Sequence, residues 1–186
     1  MIDDLYVPRQ ELEKQLLKLI KEYPRDKNIT TFYIQGNHDL STIKSSGIDL
    51  SKFISSYRFD LVPLGIDSGK LKINNSLISL YHKQNPLNGE YQTINDNSKI
   101  TLRGHSHIYK LIPYKNSSNH MGIMVQLPCL CNMTMNSHEN ILEKGFVKLK
   151  LNYDDKNLKT VEVSQYMITD KIMKLSEYNH LVKKIR

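Results

Sequence analysis

Three apolar stretches in this chain each run straight into a polar word that carries histidine. Thr30–Gln35 (TTFYIQ) ends in Gly36-Asn37-His38-Asp39, Ser76–Tyr81 (SLISLY) ends in His82, and Lys99–Arg103 (KITLR) ends in Gly104-His105-Ser106-His107. β-branched and aromatic residues fit a pleated, half-buried surface, so each stretch predicts a strand. Loops at strand ends are where a rigid sheet places its ligand groups. The pattern therefore constrains the fold to one that gathers strand ends.

The rest of the chain sorts around these strands. Leu12, Leu16, Leu17 and Ile20 recur at helical spacing and predict a helix from Pro8 to about Lys21, stopped at Tyr23-Pro24. A second helix is expected over Leu50–Tyr57, with Asp49 or Ser51 as its N-cap. From there the period switches to two. Strands are expected at Phe59–Leu64, Lys70–Ile73, Leu77–His82, Ile108–Tyr114 and Gly122–Leu127. Phe146–Tyr153 and Leu158–Met167 flank Asp154-Asp155-Lys156-Asn157 and read as a hairpin. The tail from Thr169 to Ile185 carries Ile172, Met173, Leu175, Leu181 and Val182 and reads as a helix, with Gly36–Asp39 as a polar loop and residues 84–98 as the most loop-like stretch. Helices first and strands after give an α+β class, α/β in the broad sense. The expected division is one domain over residues 1–168 and a helical tail over 169–186.

Composition sets the broad class. The chain has 186 residues, 39% hydrophobic and 24% charged, the make-up of a globular domain. No apolar run approaches the roughly 20 residues of a membrane span, and no apolar leader follows Met1, so a cytoplasmic protein with no membrane partner is expected. The net charge of +7 is spread through a Lys-, Asn- and Ile-rich chain; it permits an anionic partner without specifying one. Cys129 and Cys131 are too close in sequence for an unstrained disulfide and read as reduced thiols. His120, His138 and His180 read as ordinary histidines.

The three polar words together form a nitrogen and oxygen donor set, which suits Mn, Fe or Zn rather than a thiolate site. In an extended strand the two histidines of His-x-His point to opposite faces, whereas a tight turn after Gly104 lets them converge.

At these residues the chain resembles the calcineurin-like metallophosphoesterases. The matching positions are Gly36-Asn37-His38-Asp39, His82 and Gly104-His105-Ser106-His107, and the resemblance spans about Met1 to Gln165. It implies a partial four-layer αββα sandwich, here with a C-terminal β-hairpin and a terminal helix. It also implies a hydrolase of phosphate mono- or diesters working through two divalent metal ions. Asn37, His82 and His105 would hold one metal and His107 would reach the other. His38 would act as the general acid and Asp39 would orient it.

The chain has no Asp-x-His and no Gly-Asp dipeptide, the family's two opening motifs. Met1-Ile2-Asp3 resembles the end of the second, which makes Asp3 a motif remnant beside Gly36 and Gly104. The expectation is an incomplete copy of the enzyme, with at most one weakly held metal and little activity alone. A missing N-terminal segment or an oligomer partner would complete it. The substrate class is a phosphate ester, nucleotide and nucleic acid included. The competing reading is a non-catalytic protein- or nucleic-acid-binding module on the same scaffold.

Overall fold

The computed structural model describes residues 8–82, 98–115, 121–130, 144–169 and 172–182. Asp3, His120, Cys131, His138 and nearly all of the 84–98 stretch lie outside the described residues. The chain divides into two compact units, Met1–Gly69 and Lys70–Arg186.

The first unit begins with α1 (Arg9–Glu22), the expected helix, entered from Pro8 and ended at Tyr23. Strand β1 (Thr31–Gln35) follows, then α2 (Asn37–Ser46), α3 (Leu50–Tyr57) and β2 (Leu61–Ile66). β1 and β2 pair in parallel, Thr31 against Leu61. Such a pair needs a crossover, and α2 and α3 provide it. α3 starts at Asp49, whose Oδ1 accepts the Lys52 N–H at 3.1 Å. α2 ends at Gly47, whose φ of 72° is the left-handed helix stop that suits glycine. Leu12, Leu16, Ile48, Leu50, Ile54 and Leu61 form the apolar cluster of this unit.

Buried Arg58 ties the unit together. Its Nε and Nη2 donate to the two carboxylate oxygens of Asp60 at 2.7 and 2.6 Å. Its remaining protons go to the carbonyls of Ile20, Tyr23 and Pro24 at 2.8, 3.1 and 3.1 Å. A guanidinium thus satisfies the orphan carbonyls at the end of α1, the negative end of its dipole. The Arg58 hydrogen bonds hold the Asp60 carboxyl down to about 2.

The second unit holds two sheets. The five-stranded sheet has the order β3-β4-β5-β7-β6, with β3 at Ser68–Ile73, β4 at Ser76–Tyr81, β5 at Ile100–Arg103, β6 at Lys110–Lys115 and β7 at Met121–Gln126. β4, β5 and β7 are parallel, and β6 runs antiparallel to β7. The three-stranded sheet has the order β10-β9-β8, with β8 at Gly145–Asp154, β9 at Asn157–Ile168 and β10 at Ile172–Leu181. β8 and β9 are the expected hairpin, turning at Asp155 with a φ of 51°. Ile78, Ile100 and Ile123 stand side by side on one face of the larger sheet and join Leu158, Val161 and Val163 of the smaller in a single apolar core. Two sheets packed face to face are the ββ centre of the expected architecture, and the class is α+β.

The other face of the larger sheet is polar and buried. Ser79 and Ser98 share a hydrogen bond of 2.5 Å, and Tyr114 Oη donates to the Ser98 carbonyl at 2.8 Å. The Tyr114 ring lies over Gly122, where an added Cβ would stand 2.6 Å from its Cζ. A larger residue at position 122 would have to displace that ring.

Two expectations are corrected. Gly36–Asp39 is not a loop: helix α2 begins at Asn37, because the Asp39 carboxylate reaches back to the Gly36 N–H at 2.7 Å and closes the first turn. The terminal helix is a strand: β10 pairs antiparallel with β9 from Ile172 to Leu181. Its register slips between Lys174 and Ser176. That bulge breaks the alternation of apolar residues and leaves a spacing that imitates a helix.

Candidate metal centre

β4 and β5 are adjacent and parallel, so their C-terminal ends lie side by side. His82 follows the end of β4, and Gly104 follows the end of β5. The Gly104 N–H donates to the Tyr81 carbonyl at 2.9 Å, which carries the ladder one residue past the strand. The chain then turns sharply, and Ser106 N–H donates to the Gly104 carbonyl at 3.0 Å.

That turn gives both histidines a left-handed backbone, with φ of 72° at His105 and 59° at His107. Each such residue outside glycine costs about 1–3 kcal/mol, and strain of this kind collects at functional sites. Histidine is among the side chains that tolerate it.

The turn brings His105 against His82. His105 Nδ1 and His82 Nε2 stand 3.3 Å apart, and the rings meet edge to face with centroids at 5.0 Å. Two imidazole nitrogens on a tetrahedral Zn²⁺, each at about 2.05 Å, stand about 3.3 Å from each other. The separation of the pair thus equals that of two histidine ligands on one cation. In the metal-free chain the same distance is a hydrogen bond whose donor depends on the tautomer. His105 is exposed and His82 half-buried, so the pair is open to solvent. Gly104 sits beside the other His82 nitrogen, where an added Cβ would be 3.7 Å from Nδ1, an ordinary contact.

The other expected residues fall in two places. His107 is half-buried two positions along the same turn. Asn37, His38 and Asp39 occupy the first turn of α2 and belong to the first unit, whereas His82, His105 and His107 belong to the second. Asp39 has a role that motif reading missed, since one of its oxygens is engaged with the Gly36 amide. Among the described residues, no three His, Cys, Asp or Glu side chains come together as a group able to hold a metal ion.

Gln126, at the end of β7, also escaped sequence reading. Its side-chain Nε2 donates to Ser106 Oγ, the residue between the two histidines. Nothing in the local sequence signals this, because the contact spans 20 positions.

No family model matches the chain, and no curated protein matches it in sequence. Solved structures align with it in backbone course. Vps29 from Chaetomium thermophilum aligns over 88% of this chain and 88% of its own, at 9% identity and a TM-score of 0.46. Wild-type Vps29 from Entamoeba histolytica, complexed with Zn²⁺, aligns over 90% of this chain and 88% of its own, at 13% identity and a TM-score of 0.41. Vps29 has the calcineurin-like metallophosphoesterase fold. Among the described residues, no helix is long and apolar enough to cross a membrane.

Proposed function

We propose that this chain carries a divalent-metal centre of the phosphoesterase type, in which His82 and His105 hold one cation and His107 serves a second. The observation that supports it is the pair of imidazole nitrogens 3.3 Å apart at the ends of adjacent parallel strands. Their nitrogen donors suit Zn, Mn or Fe. When bound, a divalent cation supplies charge neutralisation on phosphoryl oxygens.

The remaining residues take roles their positions allow. His38 lies in the first turn of α2, at the positive end of the helix dipole, where an anionic phosphate is favoured. It donates a proton to the leaving oxygen of a phosphate mono- or diester, a role worth roughly 10²–10⁴-fold in rate. Asp39 fixes that turn through Gly36, which leaves its second oxygen to orient His38.

Isothermal titration of the chain with Zn²⁺ and Mn²⁺ tests this directly. Binding is expected in the wild type and at least tenfold weaker in His82→Ala and in His105→Ala. A wild-type chain that takes up neither ion overturns the proposal.

A second reading is a non-catalytic module on the same scaffold that acts through a protein partner. It is favoured by the absence, among the described residues, of any group of three or more metal-holding His, Cys, Asp or Glu. Turnover of bis-p-nitrophenyl phosphate with Mn²⁺ separates the two. Metal uptake without turnover favours the module.

A further inference from the structure

We infer that Gln126 is a positioning residue for the histidine turn, acting through Ser106 to set how tightly that turn holds a divalent cation. The inference rests on the metal-centre reading above and adds a residue that the motifs do not contain.

Three observations carry it. The first is conformational. His105 and His107 both hold left-handed φ values of 72° and 59°, which their side chains disfavour. The turn therefore persists only if something outside it fixes its shape.

The second is connectivity. Ser106 is the one residue between the two strained positions. Its hydroxyl accepts a hydrogen bond from the Gln126 side-chain amide, while its own N–H closes back onto the Gly104 carbonyl.

The third is the rigidity of the anchor. Gln126 pairs with Arg103 of β5 on one side and Lys110 of β6 on the other. The next residue, Leu127, donates its N–H to the Arg103 carbonyl at 2.7 Å. Gln126 is thus held by two neighbouring strands and reaches the loop from a fixed point. Partners hydrogen-bonded directly to metal ligands change affinity by about 10–100-fold when removed, and Gln126 acts one residue further out, through the turn that carries the ligand.

The test compares the wild type with Gln126→Leu, Ser106→Ala, Ser106→Thr and the Gln126→Leu/Ser106→Ala double variant. Zn²⁺ titration gives affinity, and amide hydrogen exchange without metal gives the state of the turn. We expect Gln126→Leu and Ser106→Ala each to weaken Zn²⁺ by at least tenfold and the double variant to be no worse than either. Ser106→Thr, which keeps the hydroxyl, should retain wild-type affinity. Exchange at the Ser106 amide should accelerate in Gln126→Leu, while the Val161 and Val163 amides in the core keep their protection. That last readout separates a loosened turn from a destabilised fold. If the wild type binds Zn²⁺, His82→Ala loses it, and Gln126→Leu binds as the wild type does, the positioning role is overturned while the metal centre stands. If the wild type binds no Zn²⁺, the metal-centre reading fails and takes this role with it.

Discussion

The two units of this chain are stabilised by different means. In the second unit, Ile100, Ile123, Val125, Val161 and Val163 are 0% exposed, the mark of a core sealed between two sheets. In the first unit, the six core residues each keep 5–7% exposure, and a two-stranded parallel sheet offers little area to seal against. There a buried arginine organises the unit through five hydrogen bonds, three of them to the end of α1. Apolar burial is distributed over many contacts, whereas the guanidinium concentrates its contribution in one side chain. The paired histidines lie on the unit with the sealed core. The Asn37-His38-Asp39 turn lies on the unit that depends on polar closure.

Three experiments would break or sharpen this contrast. The largest effect is expected from Ile123→Ala, which opens a cavity in the sealed core and should cost about 2–5 kcal/mol in urea unfolding. A cost below about 1 kcal/mol would mean the core can collapse around the loss, and the contrast would fail.

Next comes acid. The Asp60 carboxyl is held at about 2, against an ordinary 3.8, by its hydrogen bonds from Arg58. A carboxyl depressed in the folded state adds stability that is complete above the unfolded value and lost as pH falls through the folded one. Amides of the first unit should therefore lose protection between about pH 4 and pH 2. Asp60→Asn should flatten that dependence. Loss at the same pH and to the same extent in both units would show that the pair is not what distinguishes them.

The smallest effect is expected from Asp49→Ala, which removes the α3 cap and should cost about 1 kcal/mol, read from the same unfolding curves. Asp49→Asn should restore most of it.

How much of this was legible beforehand depended on whether the deciding contact was local. The β8–β9 hairpin was, because its alternation runs unbroken on both sides of a short polar turn. The Asp49 cap was, because a cap contacts a residue three positions away. β10 was misread because a one-residue bulge at Leu175 shifts the phase of its apolar residues. The start of α2 was misread because Gly36, Asn37 and His38 are weak helix formers, and the Asp39 closure outweighs their propensity. Arg58 was invisible because its carbonyl partners lie 34 to 38 positions upstream. That His82 and His105 share a place was implied by the family resemblance, but the hydrogen bond from Gln126 to Ser106 was not, since it depends on β7 lying beside β5. The boundary at Gly69 falls in a short Gly-Ile-Asp-Ser-Gly stretch at the junction of two strands, too brief to read as a linker between units.

The bulge at Leu175 also bears on how this protein behaves at high concentration. β10 is the outer strand of its sheet and exposes Ile172, Met173, Leu175 and Leu181. A straight strand of that composition would template fibril growth from its open hydrogen-bonding margin. The kink interrupts the margin, and the Lys174–Glu177 ion pair places charge on it. A register slip and an exposed ion pair are both among the features by which outer strands are blunted.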